Sequence, residues 1–361
     1  MLLSRRALLA LPALAACTRR SGGYPGYAFI ASQGEHTLAV VDLEVMAVAK
    51  HIALDGSASQ VLAAATRPML YALLPETGAV HEIQFYRMSV ARKAAIGSSP
   101  ISMTLAPDEK SLLVLTPKAL IAVDLDRMQP AWNLSLPEQP VELALSPDGK
   151  SAAITSAKGI WLADLDARRL RGPLIDGDFG CVQFRVPDGK LVAAANRGAR
   201  MLSLIDVASG RLITHLPLPV RPDHLCVTQD GGQLFVTGEG MDGVVIVYPY
   251  QTEIAETVLA GHAPGAMAVS STLLFVASPQ SGDVTIMTID SRKVIAVVPV
   301  GSDPGVVVVT PDDRYALVLN RKSGDVAVLR AATAATKKFM WTLLTVIPVG
   351  DRPVSAAVRA V

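Results

Sequence analysis

Short apolar runs, many of them rich in Val, Ile and Leu, alternate with polar turns along most of the chain. Between residues 137 and 176 this pattern predicts four strands, at residues 141–145, 151–155, 160–164 and 169–175. The first two are joined by Pro147-Asp148-Gly149-Lys150, a turn in which proline fixes φ and glycine supplies the positive φ of a tight hairpin. The pattern therefore predicts a four-stranded antiparallel unit.

The same turn recurs at a constant spacing. The prolines Pro107, Pro147 and Pro187 are 40 residues apart, and Pro311 follows 124 residues after the third. A period of about 40 residues with four strands per unit is typical of β-propellers, in which each unit forms one blade. We therefore predict an all-β fold, a β-propeller of four-stranded blades that occupies residues 27–361 as a single domain.

The number of blades depends on how the two ends of the chain are used. Seven complete units start near residues 56, 97, 137, 177, 219, 261 and 301. Three strands at 27–32, 37–42 and 48–54 then lack an inner partner, and a strand at 353–361 lacks a blade. Because an open ring leaves strand edges unpaired, we predict that the N- and C-terminal strands pair to close an eighth blade. A seven-bladed ring, with a terminal segment packed elsewhere, is the alternative.

The units resemble the YVTN family of bacterial β-propeller repeats. The best match is residues 315–328, Tyr-Ala-Leu-Val-Leu-Asn-Arg-Lys-Ser-Gly-Asp-Val-Ala-Val, followed by residues 298–309, Val-Pro-Val-Gly-Ser-Asp-Pro-Gly-Val-Val-Val-Val. The resemblance covers residues 27–361 and implies an architecture, without an activity. Two units depart from the pattern, because Tyr248-Pro249 replaces Ile-Asp and the unit from Gly56 has no Pro-Asp-Gly turn.

Residues 1–17 have the form of an export signal. A basic region at 1–6 precedes ten apolar residues at 7–16, and Leu14-Ala15-Ala16-Cys17 resembles the lipobox of bacterial lipoproteins. That resemblance implies cleavage before Cys17, lipidation of Cys17 and a short linker at 18–26. A plain signal peptide and an uncleaved anchor are alternatives, and Ser4-Arg5-Arg6 is also similar to a twin-arginine signal. We expect an exported lipoprotein, periplasmic or on the cell surface, that is held to a membrane only by this anchor.

Composition argues against a nucleic-acid partner and against a membrane-spanning helix after residue 20. The 361 residues carry a formal net charge of +1, so nothing favours a nucleic-acid partner. Mean hydropathy is +0.37, yet no apolar run after residue 20 approaches the roughly 20 residues of a membrane helix. The two cysteines beyond the signal, Cys181 and Cys226, fall at different places in the repeat, which predicts free thiols.

Motifs for catalysis are missing from the sequence. It contains no Gly-x-Ser-x-Gly, no His-Glu-x-x-His, no phosphate-binding glycine loop and no haem-attachment motif, and its six histidines lack metal-ligand spacing. We therefore predict no catalytic residue, no metal site and no cofactor. The third strand tends to end in an aspartate, which is interpreted as a turn former; these residues are Asp42, Asp124, Asp164, Asp206 and Asp290.

The loops that lead into the inner strands of a propeller open on one face, around the central channel. In this chain their basic residues and histidines fall in the later half of the ring, beside aspartates. Convergent polar groups at a concave opening predict a binding site, and ordinary solvated loops are the alternative. The candidate residues at this channel mouth are Arg221, Asp223, His224, His262, Asp303, Asp351 and Arg352. Loops between second and third strands, including Asn196-Arg197 and Asn320-Arg321, open on the same face.

These features favour a non-catalytic, monomeric binding module, whose loop face takes an envelope protein or an extended ligand. One alternative is a hydrolase that resembles the lactonase propellers, with its site at the channel mouth. The other is a haem-type cofactor-binding propeller, for which His224 and His262 are the axial-ligand candidates.

Overall fold

The computed structural model describes residues 23–97, 99–333 and 339–361. The predicted signal with Cys17 lies outside these residues, as do Ser98 and residues 334–338. The described residues form eight four-stranded antiparallel sheets, each of which is one blade of a ring. Within these ranges, no helix has the length and apolar character to cross a membrane.

The strands of the first four blades closely follow the predicted pattern. Blade 1 comprises β1 (Gly26–Ser32), β2 (Thr37–Asp42), β3 (Ala47–Ala53) and β32 (Pro353–Ala360). Blade 2 comprises β4 (Gln60–Ala63), β5 (Met69–Leu74), β6 (Ala79–Gln84) and β7 (Ser89–Ala95). Blade 3 comprises β8 (Ser102–Leu105), β9 (Ser111–Leu115), β10 (Ala119–Asp124) and β11 (Gln129–Ser135). Blade 4 comprises β12 (Pro140–Leu145), β13 (Ser151–Ser156), β14 (Gly159–Asp164) and β15 (Arg169–Asp176).

The other four blades repeat this order. Blade 5 comprises β16 (Phe179–Phe184), β17 (Leu191–Asn196), β18 (Met201–Asp206) and β19 (Leu212–Pro217). Blade 6 comprises β20 (His224–Val227), β21 (Leu234–Thr237), β22 (Gly243–Tyr248) and β23 (Glu253–Leu259). Blade 7 comprises β24 (Met267–Val269), β25 (Leu273–Ser278), β26 (Asp283–Thr288) and β27 (Val294–Pro299). Blade 8 comprises β28 (Pro304–Val309), β29 (Tyr315–Asn320), β30 (Asp325–Thr333) and β31 (Phe339–Pro348).

Blade 1 joins the two ends of the described chain. Its hydrogen-bonded order is β3-β2-β1-β32, so the C-terminal strand is the innermost strand of the blade. The two strands are antiparallel, with Gly26 opposite Ala360 and Ile30 opposite Ala356. Strand β32 also contacts the inner strands of both neighbouring blades, β4 and β28. The predicted closure and eight-bladed ring are confirmed, and the seven-bladed alternative was wrong.

The hydrophobic core lies in layers between adjacent blades. Between blades 1 and 2, for example, Phe29 and Leu70 are fully buried and pack with Phe85. The middle strands of each blade are covered on both faces by neighbouring blades, so nearly every position of β5 or β29 is buried. This two-sided burial explains why those strands appear in the sequence as continuous apolar runs.

The alternating strand directions define two faces of the ring. We call the face with the loops into the inner strands, and between second and third strands, the mouth, and the opposite face the base. The Pro-Asp-Gly turns lie on the base. The described chain also begins there, because Tyr24 donates its backbone N–H to Leu43 at 3.1 Å, just before β1 starts towards the mouth.

Most of the predicted aspartate turns are present at the base. The Oδ1 atoms of Asp42, Asp124, Asp164 and Asp206 each accept a backbone N–H from two or three residues further on. The prediction for Asp290 was wrong, because β26 ends two residues earlier, at Thr288. There the Thr288 hydroxyl oxygen takes the aspartate's place and accepts the Lys293 N–H at 3.2 Å.

Two turns at the base lack the Pro-Asp-Gly sequence, and a carboxylate from the next blade accepts their backbone N–H groups. Blade 2 lacks the Pro-Asp-Gly turn, and its loop amides from Ala65, Thr66 and Arg67 donate to the carboxylate of Glu109 in blade 3. Glu109 occupies the position where Gly149 stands in the next repeat, with a φ of 51° that glycine would adopt more easily. In the same way Asp313 of blade 8 has a φ of 56° and accepts the Ser271 N–H of blade 7 at 3.0 Å. The two acidic residues thus replace glycine where a neighbouring turn needs an acceptor.

Candidate functional site

The seven candidate residues all lie on the mouth, over one continuous arc of the ring. Arg221, Asp223 and His224 lead into the inner strand of blade 6, and His262 leads into that of blade 7. Asp303 precedes the inner strand of blade 8, and Asp351 with Arg352 precedes that of blade 1. The arc therefore runs over four consecutive blades, from blade 6 to blade 1.

At blade 8 an aspartate, an arginine and a glycine form one packed unit. The Nη2 atom of Arg321 is 3.1 Å from Oδ1 of Asp303, and the guanidinium lies against Gly305. A Cβ at position 305 would be only 2.3 Å from Arg321 Nε, so the arrangement requires glycine. The strand pairing shifts between Pro304 and Val306, and this bulge brings the glycine beneath the arginine. The unit therefore holds one side of the guanidinium in place.

Blade 5 contains a second copy of this unit. Arg197 Nη2 is 3.1 Å from Asp178 Oδ1, and the arginine side chain lies against Gly180. The sequence carries a signal for both copies, because Asp-x-Gly is followed by Asn-Arg in each: Asp178-Phe179-Gly180 with Asn196-Arg197, and Asp303-Pro304-Gly305 with Asn320-Arg321. Sequence reasoning placed these loops on one face but did not predict the pairing.

The remaining candidates in blades 6 and 7 form separate local pairs. Arg221 Nε is 3.2 Å from Asp223 Oδ1, and Asp223 Oδ2 accepts the Glu239 backbone N–H at 3.0 Å. His262 Nδ1 lies 2.7 Å from Asp242 Oδ1 at an exposed position. Arg221 is therefore met by an acid of its own loop, and His262 by an acid of a neighbouring mouth loop, which leaves less of either side chain for a ligand.

His224 lies at the start of the inner strand of blade 6, at the mouth. Its side chain retains contact with solvent in the channel, but it is also surrounded by protein, and this burial lowers its pKa. The Asp223 carboxylate opposes that shift, and the positive charge of Arg321, two blades away, adds to it. The imidazole is therefore held towards its neutral form.

The two cysteines are free, as predicted. The Cys181 thiol donates to the Asp223 carbonyl oxygen at 2.6 Å. Burial, followed by the nearby Glu142 carboxylate, raises the pKa of Cys181, and burial raises the pKa of Cys226 to about 12. Burial also raises the pKa of Glu142. Both thiols are therefore protonated at neutral pH and are poor nucleophiles.

One cleft brings several candidates together. It has a volume of about 530 Å³, opens between blades 8 and 1, and is lined by Gln33, Asp303, Arg321, Lys322, Asp351, Arg352 and Val354. Within the described chain, neither Lys322 nor Arg352 has an acidic side chain at ion-pair distance, whereas Arg321 is paired with Asp303. Three basic side chains against two acidic ones leave the cleft with a positive balance. Sequence reasoning missed Gln33 and Lys322, which lie in loops between second and third strands.

Asp303 and Arg352 both adopt a positive φ, of 59° and 55°. Ser99 and Ala263 do the same at equivalent loop positions in blades 3 and 7. The conformation is therefore a property of this loop type and gives no independent indication of a ligand. Among the described residues, no group of three or more His, Cys, Asp or Glu side chains is arranged to hold a metal ion.

Comparison with known proteins agrees with the architecture. No family model matches the chain. It is 27% identical over 176 residues to a seven-bladed β-propeller protein of Mycobacterium tuberculosis, a match that covers 46% of this chain and 43% of that relative. The matched segment thus spans less than half of the relative's length. A coarser similarity to solved structures extends over nearly the whole chain.

Two solved structures superpose on most of the molecule. The dihydro-heme d1 dehydrogenase NirN, in complex with DHE, has a TM-score of 0.70 at 13% identity over 92% of this chain and 75% of its own. Hydrazine synthase of Kuenenia stuttgartiensis has a TM-score of 0.59 at 18% identity over 90% and 100%. At such identities the similarity concerns the fold alone. The chain is accordingly an eight-bladed β-propeller protein.

Proposed function

We propose that this protein is an exported β-propeller, anchored to a membrane by lipid at Cys17, that acts as a non-catalytic binding module through its mouth. Its partner is an envelope protein or an extended ligand, which presents an anionic group to the cleft between blades 8 and 1. The protein acts as a monomer and the propeller needs no cofactor for this role.

The cleft is the observation that carries the proposal. Lys322 and Arg352 are exposed there without acidic partners among the described residues, and Arg321 is fixed in place by Asp303 and Gly305. A fixed guanidinium can bind a carboxylate or phosphate with little loss of conformational entropy, and two mobile cations beside it add charge-assisted hydrogen bonds. The site is therefore suited to recognition of an anionic group.

The other titratable side chains at the mouth are poorly suited to catalysis. Asp178 and Asp223 are engaged in local ion pairs, His262 is hydrogen-bonded to Asp242, and the two thiols are held in their protonated form. The charged groups that act on His224 are a neighbouring aspartate and a distant arginine, and among the described residues no nucleophile is hydrogen-bonded to it. Binding is accordingly the simplest use of the mouth.

The binding role predicts a contact confined to the mouth. A photo-crosslinking amino acid at Gln33, in the cleft, should yield a discrete adduct in the native envelope. The same probe at Gln251, an equally exposed glutamine in a base turn, should not. Because each charge-assisted contact is worth about one factor of ten in affinity, Lys322→Ala with Arg352→Ala should reduce the Gln33 adduct at least tenfold.

The matched control for this experiment is Lys150→Ala with Lys190→Ala, which removes two exposed lysines from the base. This variant should retain the Gln33 adduct. Equal adducts from Gln33 and Gln251, or an adduct that survives loss of Lys322 and Arg352, would contradict a charge-dependent site at the mouth.

Lipid attachment at Cys17 can be tested separately, by fatty-acid labelling and membrane fractionation. Wild-type protein should incorporate a labelled fatty acid and fractionate with membranes, whereas Cys17→Ser should lose the label, because the thiol that carries it is absent. A processed, unlabelled and soluble wild-type protein would show that residues 1–17 act as an ordinary signal peptide.

A further inference from the structure

The outer rim of blades 7 and 8 carries a group of exposed aliphatic side chains. Six residues on the outermost strands β27 and β31 are 41–54% exposed; they are Val294, Ile295, Val297, Leu343, Leu344 and Val346. Neither strand contains a charged residue, although β31 is ten residues long. We call these six residues the rim patch.

The rim patch differs from the outer strands of the other blades. Strand β7 carries Arg92 and Lys93, and the outer strands of blades 1, 4 and 6 also carry charged residues. Such charges prevent the exposed edge of a sheet from associating with other surfaces. The outer strand of blade 3 is uncharged but has no large exposed apolar side chain. The outer strand of blade 5 is uncharged and does expose Leu212 and Ile213, but the outer strands of blades 4 and 6 on either side of it carry charges. Two neighbouring edges without charges and with exposed aliphatic residues therefore indicate a surface that is covered in use.

The apolar surface continues into the groove between the two blades. Towards the base, a pocket of about 520 Å³ is lined by residues that include Leu273, Ile295 and Trp341. Towards the mouth, a pocket of about 630 Å³ includes Pro299 and Leu343. The rim patch thus continues into a partly apolar groove, whose mouth end is also lined by polar residues such as Asp303 and Lys322.

The start of the described chain lies next to this region. Tyr24 is buried between blades 1 and 8, and its pKa is raised by burial and then by the nearby charge of Asp312. Asp312 also lines the pocket at the base that contains Ile295 and Trp341. The chain that precedes Gly23 therefore reaches the propeller beside the rim patch.

Six peptide steps separate Cys17 from Gly23 in the sequence. Such a segment spans at most about 20 Å, even when fully extended. A lipid attached at Cys17 would consequently hold the bilayer close to the base of blades 8 and 1. The part of the ring that meets the membrane must then be near this point, and the rim patch is an extended apolar surface close to it.

We propose that the rim patch rests on the surface of the bilayer, with blades 7 and 8 against the membrane and the channel mouth open to the side. This inference rests on the proposed anchoring at Cys17. Aliphatic side chains enter the interfacial zone, while the unpaired backbone groups of the two strand edges bond to water and head groups there. Deeper insertion is excluded, because hydrocarbon would leave those groups unsatisfied.

The three tryptophans of the chain provide a direct test. Trp341 lies at the rim patch, whereas Trp132 in blade 3 and Trp161 in blade 4 are on the opposite side of the ring. Full-length protein, processed by its host, is reconstituted into phosphatidylcholine vesicles with acyl chains brominated near the head group. We expect the bromine to quench the emission of Trp341, so that a Trp341→Phe variant shows no bromine-dependent loss.

Substitutions test the patch itself. Ile295→Lys with Leu344→Lys places two charges on the patch and should abolish the bromine-dependent quenching while the protein remains bound to the vesicles through its lipid. Ile213→Lys is the matched control, because Ile213 has a similar exposure at the equivalent position of blade 5. This control should leave the quenching of Trp341 unchanged.

The outcomes separate this inference from the proposed anchor. If the protein floats with the vesicles but Trp341 is not quenched, the result supports the anchor and overturns the rim contact. Loss of quenching together with a larger particle size would assign the patch to a second copy of the chain. Quenching that persists with Ile295→Lys and Leu344→Lys also overturns the contact. If the wild-type protein does not float with the vesicles, the anchor at Cys17 is contradicted. The rim contact, which rests on that anchor, is then contradicted as well.

Discussion

A protein that ends at residue 352 should fail to form a soluble ring. The missing residues 353–361 include β32, the inner strand of blade 1, which pairs with β1 from Gly26 to Ser32 and contacts both neighbouring inner strands. Each backbone hydrogen bond lost contributes about 0.5–1.5 kcal/mol. A whole row of them, with the packing around Ala357, is comparable to the roughly 5–15 kcal/mol that stabilises a typical domain.

Soluble yield and the midpoint of thermal unfolding measure this effect. Removal of Val361 alone, which is 76% exposed, serves as the control and should change the midpoint little. A synthetic peptide of residues 353–361 added during refolding should restore part of the soluble protein, because the edge of β1 is then paired again. An unchanged midpoint after removal of the whole strand would mean that the ring closes without β32.

Replacement of Glu109 by glycine, the residue found at this position in the next repeats, should destabilise the protein by about 2 kcal/mol. The carboxylate accepts backbone N–H groups from Ala65, Thr66 and Arg67, and hydrogen bonds to a charged acceptor contribute about 1.5–3 kcal/mol each. Two effects reduce the net loss. Glycine relieves the positive φ of 51°, which costs glutamate about 1 kcal/mol, and the freed amides can reach water at the base.

The free energy of unfolding, measured with urea, checks this prediction. Asp313→Gly is the matched control, since it removes a single bond to Ser271 and should cost about 1 kcal/mol or less. A Glu109→Gly protein that is as stable as the wild type would show that the turn of blade 2 needs no acceptor from blade 3.

The contribution of Glu109 should also depend on pH. Burial alone would raise its pKa, but hydrogen bonds from Thr66, Ala65 and Arg67 outweigh burial and lower the pKa below the ordinary value of 4.5. A lowered pKa in the folded state means that the stabilisation is complete above the ordinary value and is lost as the pH falls through the folded value. The difference in stability between wild type and Glu109→Gln should therefore be constant near pH 7 and diminish below about pH 4.5.

Much of the fold can be predicted from the sequence because its determinants are local. The Pro-Asp-Gly-Lys turn joins strands within one hairpin, and continuous apolar runs such as those of β5 and β29 report burial on both faces. The unpaired strands at the two ends predicted closure, since the only partner left for the edge of β1 was the last strand. Asp290 was misassigned because spacing alone cannot distinguish the last residue of a strand from the turn after it.

Within the candidate site, the sequence determined which loops share the mouth, but only the tertiary structure decided which side chains meet. Gln33, Arg321 and Arg352 line one cleft because β32 closes the ring and brings the last loop beside blade 8. The same closure places Tyr24, near the start of the described residues, between blades 1 and 8. A repeating pattern specifies each blade through short-range turns and strand periodicity. Contacts between blades far apart in sequence arise only when the ring closes, because closure sets which loops and which rim strands become neighbours.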